Sequence, residues 1–180
     1  MRALTVIILV LATIWCAGNV ILGAVAAKGV FMHASPYPDA VISREIAGAI
    51  FGKILERWSF AVDVGFLPLI GVLILLLAGA LLNLKRIGMM VLCLAALGGI
   101  AGVHLWSRAI LHEAVATAPP TDPKAPYSVE QRETFNTLHK RSTSVFSAEA
   151  GLLLLLIIGC GIALGRQADP VVTSASTTNH

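Results

Sequence analysis

Charge is what this 180-residue sequence has least of. Asp, Glu, Lys and Arg supply 13% of its residues, about half of the roughly 25% found in a soluble domain. So little charge excludes a disordered chain, a basic nucleic-acid-binding domain and an ordinary water-soluble enzyme. The 13 basic and 10 acidic residues leave a net charge of +3, too small and too dispersed to draw nucleic acid. Cysteine chemistry is missing as well. Cys16, Cys93 and Cys160 each sit in an apolar run, without CxxC or Cys–His spacing, and an odd count fits no disulfide framework. They read as small buried hydrophobes. HExxH, Walker, GxGxxG and GxSxG patterns are absent, so no catalytic residue, metal site or cofactor is expected.

What the chain has is apolar length. Hydrophobic residues make up 57% of it, and the mean hydropathy is +0.83. Four stretches carry no Asp, Glu, Lys or Arg: 3–27, 64–84, 87–107 and 150–165. At 1.5 Å per residue the first three reach about 31–37 Å, enough to cross a hydrocarbon core. The fourth reaches only about 24 Å by the same rise. It must borrow from 142–148, which draws Glu149 into the membrane or to its edge. These spans predict an all-α, polytopic integral membrane protein with four transmembrane helices in a domain over 1–167. A polar, disordered tail over 168–180 follows. The first span is too long for a signal peptide despite Ala24-Val25-Ala26, and three more spans follow it.

Between the first two spans, Ser35-Pro36-Tyr37-Pro38-Asp39 predicts a turn. An amphipathic helix over 41–58 comes next. Ala47, Ile50, Phe51, Ile54 and Leu55 share one side, and Glu45, Lys53, Glu56 and Arg57 share the other. This helix lies at the interface or runs into the second span, which Pro68 should kink. The short link Asn83-Leu84-Lys85-Arg86 requires antiparallel neighbours, whereas 118–126 reads as an extended Pro-rich loop. Arg2, Lys85-Arg86 and Arg166 fall at one end, which favours both termini in the cytoplasm. The localisation expected is a multi-pass membrane protein, in the inner membrane if the source is bacterial. The pairs Gly48/Gly52, Gly98/Gly102 and Gly161/Gly165 permit close helix packing, within the chain first and with a second copy or membrane partner second.

Ionisable groups within a span are costly, so each marks a candidate site. Asp63 opens the second span, His104 and Arg108 close the third, and His139 and Glu149 start the fourth. All belong to the same half of the bundle. Phe135, His139, Ser142, Phe146 and Glu149 fall within an arc of about 80° on the fourth helix. Leu97, Ala101, His104, Arg108 and His112 run along the third. Facing stripes would pair Arg108 with Glu149, with Asp63 as the rival partner and the histidines flanking. The plainest role is a polar clamp fixing helix register, and the alternative is a ligand, proton or ion pocket. Haem or metal is less economical, because His104 and His112 lie about 12 Å apart along the axis.

Two stretches resemble the transmembrane protein 205-like family of small, mostly uncharacterised membrane proteins. One is Trp15-Cys16-Ala17-Gly18, leading through Val30-Phe31 to Ile46-Ala47-Gly48-Ala49-Ile50-Phe51-Gly52. The other is Phe135-Asn136-Thr137-Leu138-His139-Lys140-Arg141-Ser142. The resemblance implies a four-helix membrane domain, with Phe135, Leu138, His139 and Ser142 as the family signature, and it implies no activity. Copper-resistance-type membrane domains are a looser likeness, through Trp and His near span ends. The function expected is a binding or accessory membrane component. Its polar pocket would be built from Asp63, His104, Arg108, His139, Ser142 and Glu149. The alternative is a transport or electron-transfer component using that pocket for a proton, metal ion or haem.

Overall fold

The computed structural model describes residues 1–32, 44–117 and 128–166. The turn at Ser35–Asp39, the start of the amphipathic helix at 41–43, most of the Pro-rich loop and the polar tail lie outside the described residues. Every described element is helical. Four rods form the fold: α1 (Arg2–Met32), α2 (Ile46–Asn83), α3 (Ile87–Ala116) and α4 (Val129–Gly165). Each is long and apolar enough to cross a membrane. The rods are about 45–57 Å long at 1.5 Å per residue, so each also extends beyond a hydrocarbon core.

The amphipathic helix runs into the second span, the second of the two placements expected for it. It is the first half of α2, joined without a break to the apolar half that begins at Leu67. Its buried side is also narrower than the pattern implied. Ala47 and Phe51 are buried, as is Ala49, while Ile50 and Ile54 are exposed. The junction is a π-helical turn over Val62–Phe66. Pro68 brings no N–H to the ladder, and the widened turn just before it lets the rod continue. A second π-helical turn, Ile21–Ala26, lies in α1.

Between α2 and α3 the chain reverses in the tight turn the short link requires. Arg86 N–H donates to Leu81 O and Lys85 N–H to Leu82 O, each at 2.9 Å. Lys85 has φ 56°, so a lysine occupies the left-handed position that glycine usually takes in this helix-ending motif. At the opposite end of the bundle α4 starts with a capping box. Ser128 Oγ accepts from Gln131 N–H at 3.1 Å, and Gln131 Oε1 accepts from Ser128 N–H at 2.9 Å.

α1 buries Thr5, Ile8, Ala12, Trp15 and Asn19, whose alternating spacing of three and four keeps one face inward. Two apolar clusters hold the bundle. The larger gathers Ile8, Ala12, Trp15, Ile70, Ile74, Ile100 and Leu153; the smaller gathers Ile110, Ala114, Leu138 and Val145. Gly48 and Gly52 are spent within the chain, since Cβ atoms there would meet Phe135 at 3.4 Å and Val115 at 3.2 Å. Gly98, Gly102, Gly161 and Gly165 have no such neighbour within 4 Å.

Candidate functional site

Between the two apolar clusters lies a thin polar layer. α3 places His104 between Ile100 and Ile110, and α4 places Glu149 between Val145 and Leu153. The π-helical turn of α2 supplies Asp63 next to the buried Val62. His104 is the hub: its Nδ1 lies 2.9 Å from Glu149 Oε1 and its Nε2 lies 3.1 Å from Asp63 Oδ1. The second oxygen of Asp63 pairs with Arg108 Nη1. Exposure falls steeply along this chain, from 51% at Arg108 and 12% at Asp63 to 3% at His104 and 1% at Glu149.

The geometry has a definite proton count. A neutral imidazole offers one N–H and one acceptor nitrogen. Two contacts to carboxylate oxygens at hydrogen-bond distance therefore need a second proton, on the ring or on a carboxylate. With His104 as imidazolium, two cations balance two carboxylates and the layer is neutral. Without that proton, one buried N···O pair would set lone pair against lone pair.

Trp15, fully buried, packs its ring against His104 edge-on, with centroids 5.4 Å apart and planes at 87°. One turn further, Asn19 Oδ1 accepts the indole N–H of Trp58 at 2.8 Å. Trp58 in turn lies against Phe66, 5.8 Å between ring centroids. Trp15, Asn19 and Trp58 escaped the site expected from sequence. Asn19 carried the signal, as a lone amide in the apolar run 3–27 at helical spacing from Trp15.

The expected pocket divides in two. Asp63, His104, Arg108 and Glu149 meet, but Arg108 pairs with Asp63 rather than Glu149, and His104 is the bridge rather than a flank. His112 drifts away to an exposed position 3.6 Å from Glu56. Successive steps of four residues each advance about 40° around a helix, so His104, Arg108 and His112 turn progressively outward. On α4 the inward face runs through Leu138, Ser142, Val145 and Glu149, while His139 is exposed and stacks on Phe135 with centroids 6.0 Å apart. Ser142 donates to the His139 carbonyl at 2.9 Å. Neither His139 nor Ser142 makes a hydrogen bond or ion pair with the His104 cluster.

Those two residues line a neighbouring cleft of about 450 Å³, together with Asn19, Gly23, Ser107 and Phe146. Among the described residues, no group of three or more His, Cys, Asp or Glu side chains is arranged to hold a metal ion. Asp63 and Glu149 engage opposite nitrogens of one ring, so the histidine separates the two carboxylates instead of joining them around a common centre. No family model, curated protein or solved structure matches this chain.

Proposed function

We propose that the chain is a multi-pass membrane protein, a binding or accessory component that holds one exchangeable proton in the buried chain Asp63–His104–Glu149. The membrane reading rests on four apolar rods whose outward faces carry Val10, Val72, Leu75, Leu92, Leu155 and Ile158, all exposed. A soluble surface rarely tolerates so much contiguous apolar area. The end bearing Arg2, Lys85, Arg86 and Arg166 faces the cytoplasm. Kinship with the transmembrane protein 205-like family is part of this proposal. Trp15 and Gly18, two of the residues that carry the likeness, help build the wall beside the polar layer.

The observation that carries the proton reading is the double engagement of His104. Its two ring nitrogens face two carboxylates, and one of those carboxylates is 1% exposed. Exchange runs through the outer end, where Asp63 and the half-exposed Arg108 meet solvent. Toward the other end, the apolar halves of α2, α3 and α4 carry no ionisable side chain other than cysteine before the Lys85–Arg86 turn and Arg166. A proton entering at Asp63 therefore stops at Glu149. This favours proton-linked binding over conduction through one copy of the chain.

Trp15 supplies the test. An imidazolium quenches a neighbouring excited indole, and among the described residues His104 is the one histidine whose ring meets Trp15. In vesicles, a Trp58→Phe/Trp106→Phe background should show one protonation step in Trp15 emission across the pH range in which the protein stays folded. His104→Gln should abolish it and Glu149→Gln should move it. A Trp15 signal flat across that range in correctly folded protein, or a step indifferent to His104, sinks the reading.

A further inference from the structure

A cleft lies beside the polar layer and is lined by a different set of side chains. Its volume of about 450 Å³ falls within the usual 300–1,000 Å³ of small-molecule pockets. The widened π turn of α1 forms one wall with Gly23 and Ala24, and Phe31 and Phe51 form another, edge to face at 6.1 Å. α3 and α4 close it with Ser107, Ser142 and Phe146.

Two polar groups of this cleft are unspent. Asn19 is 2% exposed, and its orientation is fixed, because the indole of Trp58 only donates and so requires the amide oxygen. The amide nitrogen is left buried without a partner. Ser107 is 5% exposed, and its hydroxyl has no hydrogen-bond partner among the described residues. Buried donors are nearly always satisfied, and one left alone calls for an explanation. Among the described lining residues His139 is the one titratable side chain, and no Lys, Arg, Asp or Glu is there to pair with an ionised headgroup.

We propose that this cleft binds an uncharged, lipid-soluble molecule through a carbonyl oxygen, its apolar body lying along Phe31, Phe51 and Phe146 and its oxygen accepting from Ser107 and Asn19. The site is independent of the proton reading, since it shares no side chain with Asp63, His104 or Glu149. The carbonyl can belong to a membrane lipid ester or to a free lipophilic ketone.

Benzophenone is both an uncharged diaryl ketone and a photocrosslinker, which makes it the probe. Irradiated with the full chain in phosphatidylcholine vesicles, it should form adducts concentrated on cleft residues, read by peptide mass spectrometry. A long-chain ketone should compete and the alkane of equal length should not. Diacylglycerol competing better than the ketone would identify the lipid source, and the reverse the free one. Ser107→Ala should weaken capture about fivefold, the usual worth of one hydrogen bond. Gly23→Leu fills the cleft at a position where a Cβ meets nothing within 4 Å, and should abolish capture while leaving thermal unfolding unchanged. Adducts spread evenly over the apolar exterior, equal competition by the alkane, or undiminished capture by Gly23→Leu would each overturn the proposal.

Discussion

Gly18 of α1 makes the room that Trp58 of α2 occupies: a Cβ at position 18 would overlap the six-membered ring of the indole. The same indole holds Asn19 by its oxygen. The wall of α1 beside the polar layer therefore depends on a missing side chain. Gly18→Ala is expected to push Trp58 aside, break its bond to Asn19 and cost about 1–3 kcal/mol. Thermal unfolding in detergent reads the loss, and Trp58 emission reads the displacement. Gly23→Ala in the same helix should cost far less, since nothing stands within 4 Å of a Cβ there. Equal losses from the two substitutions would contradict the packing described.

Glu149 is the innermost member of the layer and the most sensitive to truncation. Glu149→Leu leaves one nitrogen of His104 unpaired in the interior and should cost about 3–5 kcal/mol, as when a buried pair loses one partner. Glu149→Gln retains a hydrogen-bonding group at the same reach and should cost about 1–2 kcal/mol. The ranking can be read from denaturant unfolding. Leucine outperforming glutamine would mean that the layer is held by shape alone.

Asp63 and Arg108 form a pair with unequal members. Arg108 is half exposed, and its loss in Arg108→Ala should cost no more than about 1 kcal/mol. Asp63→Ala deprives His104 and Arg108 together and should cost about 3 kcal/mol. A double-mutant cycle between the two positions is expected to give a small coupling. A coupling as large as the Asp63 effect would move the hub from His104 to Arg108.

At the other end of the bundle, Lys85 holds a backbone conformation that suits glycine better. Lys85→Gly should keep or raise stability, by up to about 1 kcal/mol, and Lys85→Val should lower it. Helix propensity ranks glycine below valine, so the opposite order in thermal unfolding would remove the left-handed turn from the account.

The rods were readable because charge is so scarce, and the same scarcity marked the four members of the polar layer, although His139 and Ser142 were marked with them and lie outside it. Asp63, His104, Arg108 and Glu149 each interrupt or border a run that excludes their kind. Their pairing was not readable. A three-or-four spacing leaves a helix face uncertain by tens of degrees, enough to bring His139 inward where Leu138 belongs. Asp63 added a further difficulty, because a π-helical turn breaks the 3.6-residue count on which phase arguments rest. Asn19 and Trp15 were passed over because neither carries charge, though an amide in an apolar run is costly in its own way.

A π-helical turn is in effect a one-residue insertion that an α-helix has absorbed. Each residue turns an α-helix by about 100°, and absorbing the extra residue in one wide turn spares the flanking halves of α2 that rotation. Excising one residue from 62–66 would let the rod wind regularly with both halves still in phase, and the reach of α2 would barely alter, since one residue rises only about 1.5 Å. The change would fall on the turn itself, where Asp63 is held against His104. Chain length in this segment is therefore tied to the placing of one carboxylate, and a single-codon deletion is expected to release Asp63 while leaving the two apolar clusters packed.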